Sequence, residues 1–174
     1  MFHVEHRVGD KMNKKKMMLA LNEAKKAYKF DEIPVGCVIF KGNEIIACGY
    51  NKKESKSNAI LHAEMIAIEK ACKKLKSWRL DDCVMFVTLE PCMMCMGAIL
   101  ESRIKTVYYG TKSKNEQMYD VDKLSKNIKL FNLNDNECSK ILSDFILFNN
   151  KSFAKSTSGI ESISNKSIIF PICS

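Results

Sequence analysis

A chain of 174 residues is long enough for one domain with a packed core and too short for two comfortable ones. Its composition, 46% hydrophobic and 28% charged, excludes a disordered chain, and no apolar run approaches the roughly 20 residues that span a bilayer. The net charge of +8 is partly at the ends, with +3 in residues 1–16 and +2 in residues 151–174, so charge alone argues only weakly for a nucleic-acid partner.

The first sixteen residues lack the apolar stretch of a secretory signal, which makes the cytoplasm the expected location. Cys37, Cys48, Cys72, Cys83, Cys138 and Cys173 are scattered, whereas Cys92 and Cys95 are close-set. That pattern argues against a disulfide framework and for metal or redox chemistry at one C-x-x-C.

In chain order, Met17, Ala20, Leu21, Ala24, Ala27 and Tyr28 recur at helical spacing and predict an amphipathic helix. Asp31 to Pro34 breaks it. The apolar runs Val35–Phe40 and Ile45–Tyr50, joined by Lys41-Gly42-Asn43-Glu44, read as a hairpin. The polar stretch Asn51 to Asn58 is too long for a tight turn and is a candidate substrate loop. Leu61, Met65, Ile68, Cys72 and Leu75 then step by three or four, which predicts a second helix.

Val84–Leu89 is apolar throughout, as in a strand buried on both faces. Pro91 fits the first turn of a helix reaching Glu101. Thr106–Gly110 and Ile128–Leu133 read as strands, with residues 111–127 between them undecided. Glu137–Asn149 closes the domain as a helix with Ile141, Leu142, Phe145 and Phe148 on one side. The alternation predicts an α/β fold, a three-layer α/β/α sandwich with a mixed five-stranded sheet. It spans residues 17–150, between an extension at 1–16 and a Ser- and Lys-rich tail at 151–174, both expected to be flexible.

The chemistry is concentrated at the starts of two predicted helices, His62-Ala63-Glu64 and Pro91-Cys92-Met93-Met94-Cys95. Cysteines three apart share a helix face, and the positive end of the helix dipole favours their thiolates. With a neutral His62 they make three zinc ligands of near-zero net charge. The fourth position is left for water, whose pKa zinc lowers toward ~7. Glu64, two residues from His62, is placed to shuttle protons from that water to a ring nitrogen and a leaving amine.

Other candidates are weaker. His3 and His6 read as surface residues, and Met93, Met94 and Met96 as core packing. Lys73, Lys74, Lys76 and Arg79 read as a solvated face, and Cys83 as a core thiol rather than a fourth ligand. H-x-E…P-C-x-x-C is the signature of the zinc nucleobase deaminases.

Read with their neighbours, these residues resemble the bacterial tRNA-specific adenosine deaminases over about Met17 to Phe148. The likeness includes Glu32-Ile33-Pro34-Val35-Gly36, Gly49-Tyr50-Asn51, His62-Ala63-Glu64, Val87 through Cys95, Gly97-Ala98-Ile99, Ser102-Arg103-Ile104 and Leu142-Ser143-Asp144-Phe145. The resemblance implies a cytidine-deaminase-like fold and one zinc ion per subunit of a homodimer. It also implies conversion of the wobble adenosine of a tRNA anticodon stem-loop to inosine. By the same likeness Asn51 would hydrogen-bond the flipped base, Val35 would line its pocket, and Ala63 would reach it through its backbone.

The chain departs from that pattern at three places. Ser57-Asn58-Ala59-Ile60-Leu61 replaces Asp-Pro-Thr-Ala before the His-Ala-Glu. Gly110 to Gln117 lacks the family's aspartate, with Ser113 near its place, and Phe148-Asn149-Asn150-Lys151 replaces an arginine-rich helix end. All three bear on RNA contacts, so deamination of a free nucleobase or nucleoside stands as the alternative. A non-catalytic zinc or RNA-binding protein stands behind it.

Overall fold

Among the described residues, four helices and five strands follow in the order α1 (Phe2–Tyr28), β1 (Gly36–Lys41), β2 (Glu44–Tyr50), α2 (Ala63–Leu75), β3 (Cys83–Leu89), α3 (Met93–Glu101), β4 (Thr106–Thr111), β5 (Lys129–Asn132) and α4 (Asn136–Thr157). The structure, a computed structural model, describes residues 2–113 and 127–157, with only the backbone of 2–10 and 151–157. The side chains of His3 and His6, most of the undecided 111–127 stretch, and the expected tail beyond Thr157 lie outside the described residues.

The strands form one sheet in the order β2-β1-β3-β4-β5. β1 is antiparallel to β2 and β3, whereas β3, β4 and β5 run parallel. Along β1 and β3, successive side chains divide between two cores, as the two-residue period of a strand requires. Cys37, Ile39, Met85 and Val87 pack with Ala63, Ala67 and Ala71 of α2 and with Met96 and Ile99 of α3. Val38, Phe40 and Phe86 pack with Met17, Ala20 and Leu21 of α1 and Cys138 of α4. Burial on both faces accounts for the unbroken apolar runs, and the result is the three-layer sandwich with a mixed sheet.

Two helices come unusually close to the sheet, and glycine permits it. A Cβ on Gly49 of β2 would stand 2.3 Å from the Ala63 carbonyl oxygen of α2, and one on Gly36 of β1 would stand 2.1 Å from that of Ala20 in α1. Across the α1 face, Phe86, Tyr108 and Phe131 stack in register over three strands, with centroids 4.8 and 4.9 Å apart.

The first helix starts at Phe2, so the backbone of residues 2–16 is helical and continuous with the predicted helix. Lys16 Nζ donates to Gly42 O at 3.1 Å and sits 4.9 Å from the centroid of the Phe40 ring. The hydrophobic period marks the part of a helix that is buried; residues 11–16, four of them lysines, are exposed or half-buried and carry good helix formers without an apolar stripe. Pro91 lies before α3 rather than in its first turn, because Cys92 keeps extended backbone (φ −76°, ψ 173°) as the N-cap. Phe148 is exposed, although its spacing puts it with Phe145.

Candidate active site and metal centre

The N-termini of α2 and α3 meet at one end of the sheet. His62 is the N-cap of α2 and Cys92 the N-cap of α3, both with extended backbone, and neither side chain caps its own helix. Ser, Thr, Asp or Asn ordinarily serves there. The side chains that replace them turn toward one another instead. Cys95, in the first turn of α3, completes the group and is buried.

The three ligand atoms form a nearly equilateral triangle. Cys92 Sγ is 3.7 Å from His62 Nδ1 and 3.7 Å from Cys95 Sγ, and Cys95 Sγ is 3.6 Å from His62 Nδ1. With Zn–S near 2.3 Å and Zn–N near 2.05 Å, tetrahedral edges are about 3.8 Å for S···S and about 3.6 Å for S···N. These residues therefore fit a tetrahedral metal ion. Among the described residues no other group of three His, Cys, Asp or Glu side chains converges in this way.

Electrostatics point the same way. Contact with Cys92 pushes the His62 imidazolium pKa up, while the Cys92 thiol is pushed down by its hydrogen bonds with Cys95 and His62. The Cys95 thiol is pushed far up, first by Cys92 and then by burial. Two sulfurs this close cannot both ionise without a compensating charge, and a divalent cation, with two helix dipoles behind it, supplies one.

Glu64 lies in the first turn of α2, 3% exposed, within reach of Cys95 and His62. Burial raises its pKa to about 7, against the lowering effect of its own backbone N–H. A carboxyl poised there can both accept and return a proton near neutral pH.

Asn51 is also buried, just past the end of β2. Its N–H donates to Val35 O at 3.1 Å, and its Nδ2 donates to Glu32 Oε2 at 3.3 Å. Val35 is buried just before β1. Ala63 is the first residue of α2, where a backbone N–H has no intrahelical acceptor. The structure thus brings Asn51 and Val35 together by a backbone bond and sets Ala63 between His62 and Glu64.

Two carboxylates carry more than the sequence reading gave them. Glu32, placed there in a helix-breaking segment, is fully buried and accepts from Asn51 and the 54–55 backbone. Glu90 Oε2 accepts from Ser113 N at 3.2 Å, fastening the chain after β4 beside the Pro91-Cys92 turn. A sequence gives the acidic residue but not its burial. The altered 57–61 stretch is closed without Asp-Pro: Ile60 N donates to Asn58 Oδ1 at 3.1 Å, and Lys52 N to Leu61 O at 3.0 Å.

Cys83 is a core thiol at the start of β3 and is not part of the metal-fitting group. Of the three methionines beside the cysteines, Met96 is core but Met93 is exposed, so its expected packing role does not hold. The basic residues at the end of α2 and in the connection after it are solvated: Lys73 pairs with Glu69, Lys74 with Glu44, and Arg79 with Asp81.

Residues 12–149 match the MafB19-like deaminases. The chain belongs to that family. A tRNA-specific adenosine deaminase of Streptococcus pyogenes serotype M1 is 49% identical over 108 residues, which is 62% of this chain and 62% of that protein. The chain spans about three fifths of the length of such curated relatives. A solved structure from work on A-to-I editing by tRNA:A34 deaminases at the wobble position superposes with a TM-score of 0.67 at 34% identity, over 72% of this chain and 97% of that one. The guanine deaminase of Bacillus subtilis superposes with a TM-score of 0.53 at 40% identity, over 55% and 62%. No helix among the described residues is long and apolar enough to cross a membrane.

Proposed function

We propose that this chain is a zinc-dependent hydrolytic deaminase that converts the wobble adenosine of a tRNA anticodon stem-loop to inosine, releasing ammonia. The observation that carries the proposal is the His62–Cys92–Cys95 triangle with Glu64 buried beside it. Three protein ligands rather than four are the mark of a catalytic zinc. Bound there, zinc would supply the Lewis acidity that activates water for attack. Neutral His62 and the thiolates of Cys92 and Cys95 would hold it.

Glu64 then takes a proton from the attacking water, delivers it to the ring nitrogen next to C6 of adenine, and passes the second proton to the departing amine. Asn51 hydrogen-bonds the extruded base, Val35 walls its pocket, and the Ala63 N–H approaches the base edge. A loop base costs less to extract than a paired one, which suits an anticodon. The catalytic domain is 17–150, and the active form is a cytoplasmic homodimer with one zinc per subunit, the partner completing the RNA site.

The tRNA substrate is favoured by the names of the relatives and by the coverage of the tRNA:A34 deaminase structure, against the shorter match to a guanine deaminase. That match, at 40% identity, keeps a free-base substrate as the second reading. Incubating the zinc-loaded protein with total tRNA and sequencing for adenosine-to-inosine changes decides between them. Inosine at the wobble position is expected, with guanine, cytosine and cytidine unchanged; the reverse result sinks the tRNA reading. Full activity in a zinc-loaded Glu64→Ala variant would exclude Glu64 as the proton shuttle.

A further inference from the structure

We infer that Glu32 is a positioning residue that acts through Asn51, fixing its amide and the following loop in the shape that receives the substrate. The inference rests on the substrate role proposed above for Asn51. Glu32 is 0% exposed, yet both carboxylate oxygens are used. Oε1 accepts from Ser55 N at 2.7 Å; Oε2 accepts from Glu54 N at 3.1 Å and from Asn51 Nδ2 at 3.3 Å. The turn that brings it inward follows α1, where Asp31 takes a left-handed φ of 55° and Glu32 N donates back to Ala27 O.

The donors explain why a carboxylate is needed. Glu54 and Ser55 lie in a helical turn closed by Lys56 N to Lys52 O and Asn58 N to Lys53 O, whose leading N–H groups have no carbonyl partner of their own. Glu32 caps that turn from 22 and 23 residues away. An acceptor-only group on the Asn51 amide also decides its flip: Nδ2 faces Glu32, leaving Oδ1 and the second N–H for a ligand. A buried carboxylate is costly unless fully bonded, and these bonds all go to the loop and to Asn51 rather than to the core.

Glu32→Gln tests this, since it keeps size but puts an NH2 where an N–H must be accepted. Zinc content should equal that of the wild type, and amide exchange at Glu54 and Ser55 should rise about tenfold or more, as loss of a charge-assisted bond implies. kcat/KM on whichever substrate the wild type turns over should fall about tenfold or more, with no further loss when Glu32→Gln is added to Asn51→Ala. Unchanged exchange, or losses that multiply in the double variant, overturns the inference. Should Glu32→Gln not fold, Ser55→Pro removes the shortest bond from the exposed side and is expected to lower kcat/KM in the same non-additive way; independence from Asn51 there also overturns it. Turnover of a free base instead of RNA overturns the tRNA reading alone, because the cycle is then run on that base. No turnover of any substrate by the zinc-loaded wild type overturns both.

Discussion

The metal-fitting group and the loop that faces it are built in opposite ways. His62, Cys92 and Cys95 stand at the first turns of two helices, and those helices are fixed by the sheet: α2 by the close approach over Gly49, α3 by the crossover between parallel β3 and β4. Asn51 and residues 52–61 stand on a connection whose stretch from Glu54 to Ile60 is exposed, held by Glu32, by Asn58 and by one backbone bond between Lys52 and Leu61. Rigid elements hold atoms to the few tenths of an ångström that coordination demands, while a loop tolerates change. Accordingly, the departure from the family pattern at 57–61 falls on the second region, the one around Ser113 falls on another connection, after β4, and the triangle is intact.

Breaking the helix-borne side should have the largest effect. Cys92→Ser or Cys95→Ser should abolish stoichiometric zinc and lower deamination at least about 10³-fold, as metal analysis and a product assay would register. A chelator should do the same to the wild type and lower its melting temperature, and added zinc should restore both. Normal zinc content in either variant would mean that the triangle is not where the metal sits.

Glu64→Gln separates metal from proton transfer. Zinc should remain while kcat falls about 10²- to 10⁴-fold. Asn51→Ala probes the loop side: kcat/KM should fall about 10- to 100-fold with zinc content unchanged, while the melting temperature falls by a few degrees because buried Glu32 loses a donor. A loss of zinc in that variant would show the two regions to be coupled.

Gly49→Ala tests the sheet's hold on α2, since its Cβ would meet the Ala63 carbonyl. Overpacking of this kind costs about 1–3 kcal/mol, or roughly 3–10 °C in melting temperature for a domain of this size, and zinc affinity should weaken with it. The smallest effect is expected at the solvated face: Lys73→Ala breaks an exposed pair with Glu69 and should shift melting by less than about 2 °C.

Much of the architecture was legible because hydrophobic periodicity reports burial directly. All five strands and the helices over 63–75 and 93–101 lie within two residues of their expected bounds, and Met17, Ala20, Leu21, Ala24 and Ala27 form the buried stripe their spacing implies. Where little burial accompanies helix, as over residues 11–16, the pattern was silent. Spacing was a poor guide one turn past Phe145, where Phe148 is exposed, and adjacency to the cysteines was no guide to Met93, which opens α3 and is exposed where core was expected.

The sequence by itself determined the donor types, their order and the helix starts that carry them, because ligand chemistry and local spacing are written in adjacent residues. Only the tertiary structure decided that Cys92, 30 positions along the chain, returns to within 3.7 Å of His62. The same packing buries Glu64 and turns Glu32 inward to the loop that holds Asn51. Such facts depend on which surfaces of the sheet the helices cover, and no short stretch of chain contains them.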